Sequence, residues 1–498
     1  MNHALGISSY LIVAPMLALL AASLVPVMLK VFSGNREPHP FVTTTYGFIA
    51  VATALGLAIT FLGGSKFGFH NALVSDGLSL WASVIVLVSG GFSIFMMHDH
   101  VETQTKLFSE KVFLLLGSLI GMLIVVLSND LIVTFLGIET MSLCLYVLIA
   151  MSRETILSKE AAFKYFILGS FASAIFLYGI ALIYGTAGTT QFPGLMEQVG
   201  PLLESRNHLF LIGIVFVVLG FAFKVSVFPF HFWTPDVYQG APTPVTAFMA
   251  TAVKAATFVA ILRLFQSTGY QHSLPLKEVI SWLAALTMLV GNAAAIMQAN
   301  FKRMLAYSSV AHSGYLMVGV VAAGFGDSQG VASAAGIVVL FYLLAYSIMT
   351  LGSFAFVALL EKSVGQALQV DDVRGLARSH PVLAGCMAIV LFSLAGVPPL
   401  LGFFGKFGLF SLAIEQNFYW LAIWGVLNSV ISVYYYLRPI VLMYMQGEDS
   451  SANAPLIEMN KHIMTRFTLF GSAVLIIIMG MFSSPILAAL KAAILGRS

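Results

Sequence analysis

Apolar residues fill this chain in long runs, and polar positions gather in short stretches between them. A bilayer's hydrocarbon core takes a helix of about 20 apolar residues, and by that measure the chain divides into roughly fourteen spans. They begin near Tyr10, Phe41, Leu78, Val112, Leu131, Ala161, Leu209, Thr243, Val279, Met304, Val331, Pro381, Phe418 and Phe467. The run from Pro381 to Leu412 is too long for one crossing. Its roughly 32 residues would reach about 48 Å as a straight helix, against a core of about 30 Å. A break is therefore predicted inside it, and Pro398 and Pro399 mark the place. The pattern predicts an all-α polytopic membrane protein with discontinuous helices.

Composition narrows the class. The chain is 59% hydrophobic and 9% charged, with a mean hydropathy of +0.95; a soluble globule carries about 25% charged residues. The net charge of +3 is spread thinly over loops. No basic run suggests nucleic acid or a lipid-headgroup patch, so neither is implied as a partner, and the apolar spans imply a lipid bilayer around them. Loops on one side hold most of the loop cations, among them Lys159, Lys302, Arg303, Arg374, Arg378 and Arg438. The other side has few, including Lys66, Arg206, Arg263 and Lys277. Positive loops stay in the cytoplasm, so an even number of spans places both termini outside. The apolar run at the N-terminus is longer than a signal peptide's and lacks a basic leader, which predicts a retained first span. Cys144 and Cys386 lie far from any second thiol and read as small buried hydrophobes.

Ionisable residues inside spans are the candidates for chemistry. Residues 220–265 hold Lys224 and Lys254 in apolar runs, with Pro229 just after the first lysine and Pro235, Pro242 and Pro244 before the second. A lysine at mid-bilayer costs roughly 2.5 to 3.5 kcal/mol even on the lenient insertion scale, so such residues usually face protein or a water-filled path. Backbone freed by a break is tolerated in a membrane only where it lines a cavity or packs in protein. Glu139 lies squarely inside the run LIVTFLGIETMSLCLYVLIAM, and Lys406 follows Pro399 by seven residues. His312 shares a helix face with Ser308, Ser309 and Tyr315. Its near-neutral titration suits a relay.

Each candidate has a plainer alternative. Lys224 and Glu139 could form a static ion pair, and His312 could be a hydrogen-bonded packing residue. Lys164, near a span start beside Glu160, reads first as a side chain snorkelling to the cytoplasmic surface and second as part of a proton entrance. Thr251 and Thr257 flank Lys254 and could hold water or bond their own helix.

A weak internal repeat organises these residues. Three spans fill 1–110; five-helix units follow at 111–266 and 267–446, and a last span occupies 447–498. Glu139 and His312 fall on the second helix of the two units, while Lys224 with Pro229 and Lys406 with Pro398 and Pro399 fall on the fourth. Five is odd, so the two units are expected to be inverted relative to one another, as in alternating-access transporters. Lys254 has no charged counterpart in the second unit.

The sequence has no phosphate loop, nucleophile elbow, CxxC pair or histidine pair spaced for haem, so no redox centre is expected in this chain. The segments GIETMSLCLYVLIA, EAAFKYFILGSFASAIFLYGIALIYG, FKVSVFPFHFWTPDVYQGAPTPVTAFMA, NFKRMLAYSSVAHSGYLMVG and AGVPPLLGFFGKF resemble the antiporter-like subunits of proton-pumping NADH-quinone oxidoreductase, respiratory complex I. That family also includes the large subunits of multisubunit cation/proton antiporters. WTPDVYQGAPTPV points to the N type within it. The resemblance implies that Glu139 and Lys224 form an ion pair whose rearrangement gates protonation. It further implies that Lys254 is a central relay and Lys406 the lysine of a second half-channel. It implies partners too, namely the other membrane and peripheral subunits, which would hold NADH, FMN, iron-sulfur clusters and quinone. The alternative function is an Mrp-like sodium/proton antiporter subunit with no redox link. A third reading, a structural scaffold, would make every buried charge part of a static pair.

Overall fold

The computed structural model describes residues 7–100, 107–152, 156–267, 274–325, 331–361, 367–445 and 462–495. The expected boundary at 446/447 lies outside them. The fold is almost wholly helical. In order the helices are α1 (Ile7–Phe32), α2 (Pro40–Phe61), α3 (Gly77–Asp99), α4 (Phe108–Leu127), α5 (Leu131–Ala150), α6 (Ile156–Ala187) and α7 (Phe192–Glu204). Next come α8 (His208–Lys224), α9 (Trp233–Gly240), α10 (Thr243–Phe248), α11 (Lys254–Ser267), α12 (Leu274–Ile296), α13 (Phe301–Phe325) and α14 (Val331–Leu360). The chain ends with α15 (Leu376–Ser379), α16 (Pro381–Ala395), α17 (Leu401–Glu415), α18 (Tyr419–Met445), α19 (Ile463–Met481) and α20 (Ser483–Leu495). A small hairpin of Lys66–Gly68 and Leu73–Ser75 precedes α3.

Each predicted apolar run falls on helix. Among the described residues, 12 helices are long and apolar enough to cross a membrane. The runs begun at Leu209 and Pro381 are instead each split into two shorter helices, α8 with α9 and α16 with α17. The C-terminal run differs from expectation, because α19 is followed at once by α20, which is too short to cross. It packs on the start of α3, where a Cβ on Gly77 would run into the Ala493 carbonyl.

Helices pack closely where glycine allows it. A Cβ on Gly121 of α4 would strike the Met141 backbone of α5, and one on Gly291 of α12 would lie 2.5 Å from Ala311 N of α13. These contacts press the first two helices of each predicted five-helix unit together, and α5 and α13 carry Glu139 and His312. The stretch Thr243–Phe265, which holds Lys254, is buried throughout. Outward faces remain apolar and exposed, as at Phe163, Phe171 and Tyr178 of α6. Cys144 and Cys386, expected to be buried, are partly exposed.

Candidate functional site

The first break begins at Lys224, the last residue of α8. Ser226 turns the backbone into the left-handed region at φ 61°, and Phe228–Pro229 is cis. Helix bonding lost here is replaced by side chains. Trp233 Nε1 donates to the Phe223 carbonyl at 3.0 Å, Ser226 Oγ and Thr234 Oγ1 lie 2.6 Å apart, and Phe228 N donates to Thr287 Oγ1 at 3.0 Å. The second break is built on the same logic. Gly396 takes φ 91°, Pro398–Pro399 is cis, and Gly402 N donates to Ser393 Oγ at 3.0 Å. A Cβ on Gly402 would collide with the Ser393 carbonyl, so only glycine fits there.

Trp233 also stacks on Tyr165, with centroids 4.9 Å apart. Its indole bond fixes the residue directly before Lys224. Trp233→Phe keeps most of the packing but removes the indole donor from the Phe223 carbonyl, which keeps the Ser226 N–H at 3.2 Å, at a cost of about 0.5 to 1.5 kcal/mol. The expected outcome is lowered proton pumping with the helices still assembled, measured beside the yield of intact complex.

The candidate lysines are deeply buried, with Lys224 at 3%, Lys254 at 1% and Lys406 at 4% exposure. Among the described residues, none of the three makes an ion pair with a carboxylate. Lys224 Nζ donates to Ser142 Oγ at 2.8 Å and Tyr146 OH at 3.4 Å. Glu139 instead accepts from the Ser173 hydroxyl of α6. The direct Glu139–Lys224 pair implied by the resemblance is therefore absent from this arrangement. Ser142, one helical turn beyond Glu139, occupies the ammonium, yet Glu139 remains near enough for its charge to act on Lys224.

Lys254 follows a π-helical turn, Met249–Val253. Such turns often mark functional sites, and neither composition nor hydrophobic period betrays them. Lys254 Nζ donates to the Ser309 carbonyl at 2.5 Å and Ser313 Oγ at 2.8 Å, both on α13. Thr251 and Thr257 bond the carbonyls of Ala247 and Val253 on their own helix, so the plainer expectation for them holds. Lys406 Nζ donates to the Ala395 carbonyl at 3.1 Å and Ser429 Oγ at 3.0 Å, and lies 5.0 Å from the Tyr315 ring centre. The carbonyl it takes is one that the second break released.

His312 lies close enough to both lysines for their charges to act on it. Its Nδ1 lies 2.6 Å from Tyr342 OH and its Nε2 3.0 Å from Tyr436 OH. The tyrosines were not singled out from sequence, because they lie on α14 and α18, far along the chain from His312. Asn292, also missed, donates to Tyr315 OH at 3.1 Å and accepts from Tyr435 OH at 3.0 Å.

Lys164 does not simply reach for solvent. Although its side chain is 37% exposed, it pairs with Glu160 and Asp236 at 2.6 Å each. Asp236 also binds Arg303 at 2.6 Å, linking α6, α9 and α13. Nearby, Glu361 accepts from Thr243 Oγ1 at 2.6 Å and pairs with Lys302 at 3.2 Å. Burial pushes its carboxyl up, but Lys302 and His100 outweigh that and hold it down at about 2. Its charge is thus constant from neutral to mildly acid pH. Arg263, counted from sequence among the outer loops, lies inside α11 and pairs with Asp76 at 2.9 Å. Among the described residues no group of histidine, cysteine and carboxylate side chains is placed to hold a metal ion.

Comparison with known proteins gives the family of the chain. The profile of the NADH:quinone oxidoreductase/Mrp antiporter transmembrane family matches residues 128–432. A Bdellovibrio bacteriovorus protein, NADH-quinone oxidoreductase subunit N, is 51% identical over 99% of this chain and 100% of its own length. The chain belongs to this family. Subunit N of Trichlorobacter lovleyi is 41% identical over 81% of this chain and 82% of its own. Among solved structures, a chain of respiratory complex I from Thermus thermophilus with bound aureothin matches with a TM-score of 0.79 at 30% identity, covering 96% of this chain and 99% of that one. The Mrp complex from a Dietzia species matches with a TM-score of 0.83 at 20% identity, covering 98% and 97%; at that identity the likeness concerns the fold alone. The antiporter-like fold expected from sequence is therefore shown.

Proposed function

We propose that this chain is the N-type proton-translocating membrane subunit of an NADH-quinone oxidoreductase. Electron transfer from NADH to quinone would occur in partner subunits that hold FMN and iron-sulfur clusters, and its energy would move protons here. The observation that carries this reading is the set of three buried lysines held by hydroxyls and carbonyls, with no carboxylate pinning the charge. Two of the three lie at or just beyond helix breaks. A stability device would pair those charges, since an unpaired buried ion is expensive.

In this reading Glu139 and Lys224 form the switching pair of the first half-channel. Lys254 passes the proton along the membrane plane through His312, and Lys406 delivers it in the second half-channel. Lys164, with Asp236, lies at the cytoplasmic entrance. Residues 1–110 form the three-helix start, 111–266 and 267–446 the inverted units, and 447–498 the C-terminal part. The matching glycine contacts and the matching broken helices support the two units. The surrounding membrane would be the bacterial inner membrane, with both termini periplasmic.

The same fold also serves Mrp complexes, but the near-full-length relatives favour the oxidoreductase. The test is proton movement in vesicles holding the intact complex. It should require NADH and quinone and be indifferent to sodium. Sodium-driven proton flux without an electron donor would contradict the reading.

A further inference from the structure

His312 is held at both ring nitrogens by phenol hydroxyls, and the two tyrosines pack toward different lysine sites. On one side Tyr436 OH also bonds the Ser308 hydroxyl. Ser308 adjoins Ser309, whose carbonyl accepts from Lys254 at 2.5 Å. On the other side the Tyr342 ring lies against Gly405, where a Cβ would come within 2.6 Å of Cδ2. Gly405 is the residue before Lys406. The missing side chain at 405 lets Tyr342 touch both His312 and the backbone beside that lysine.

We propose that Ser308, Tyr436 and Tyr342 form, with His312, a hydroxyl–imidazole relay carrying the proton across the gap between Lys254 and Lys406. The proposal rests on the reading above and adds residues to it. A neutral imidazole has one donating and one accepting nitrogen, so one tyrosine donates to it and the other accepts. When a proton arrives at the Ser308 end, Ser308 passes its own to Tyr436, Tyr436 passes its own to His312, and the opposite ring N–H goes to Tyr342. Tyr342 then releases its original proton toward Lys406. One proton enters, one leaves, every hydrogen bond in the row reverses, and no residue is left charged. Ser308, Tyr436, His312 and Tyr342 suit this because each can donate or accept. Neighbouring Tyr435 cannot do the same, since its hydroxyl is committed to the Asn292 amide oxygen, which only accepts.

The test compares Tyr436→Phe, Tyr342→Phe and Tyr435→Phe in the purified, reconstituted complex, beside Lys254→Met. Protons moved per NADH and the solvent deuterium isotope effect on pumping are both measured. Tyr436→Phe and Tyr342→Phe should slow proton transfer about a hundredfold or more, the low end for a lost proton-transfer group, and change the isotope effect. Tyr435→Phe, which removes an equally buried hydroxyl, should leave both near wild type. The relay is overturned if Tyr436→Phe and Tyr342→Phe pump normally while Lys254→Met does not, or if Tyr435→Phe fails as badly as they do. Normal pumping by Lys254→Met would instead overturn the functional reading beneath it.

Discussion

Lys254→Met is expected to stop proton movement through this subunit while the complex still assembles. Methionine roughly matches the volume of the lysine stem, and replacing a buried charge by an apolar group is often tolerated by the fold. Ser313 loses a donor, but its own bond to the Ser309 carbonyl at 3.2 Å remains, so α13 keeps its local order. What disappears is the ammonium that the buried Thr243–Phe265 stretch presents to α13. Proton-transfer groups typically contribute 10²–10⁴-fold, so roughly a hundredfold loss or more is expected. Pumping by reconstituted complex, read beside subunit content, checks this. Loss of the subunit itself would be a folding effect and is scored separately.

The second large effect belongs to Lys224 and Glu139. Lys224→Ala and Glu139→Ala should each lower coupled pumping, and the double variant should be no worse than the more severe single one. The reason lies in the geometry. Ser142 holds the ammonium and Ser173 the carboxylate, so the two charges are poised near one another without being joined. If pumping alternates between this open arrangement and a closed pair, both partners act in one step, and their effects are coupled. Interacting sites commonly show coupling of about 0.5 to 3 kcal/mol. A static scaffold predicts otherwise: apolar replacement of both residues would leave flux intact.

Much of this architecture was legible in the sequence because a bilayer imposes a single length on its spans. The runs begun at Leu209 and Pro381 even announced their breaks through Pro229 and Pro398–Pro399. The buried lysines were legible for a related reason, since a charge in an apolar run stands out in any reading. Their partners were not. Ser142, Ser309 and Ser429 are ordinary helix residues until packing turns them toward an ammonium, and Tyr342 and Tyr436 meet His312 only across three helices. The absence of a closed Glu139–Lys224 pair is likewise a matter of side-chain choice among Ser142, Tyr146 and Ser173, which spacing along a helix cannot rank. Arg263 was misplaced because a cation near a span end reads as a loop residue, whereas Asp76 draws it inward. The π-helical turn before Lys254 leaves no trace in hydrophobic period, since MATAV continues the apolar run in either geometry.

The most direct test of the central claim is the number of protons moved per NADH oxidised by the intact, reconstituted complex carrying Lys224→Ala or, separately, Glu139→Ala. The proposed mechanism predicts a lower ratio in both, with assembly preserved. Full pumping in both would contradict it.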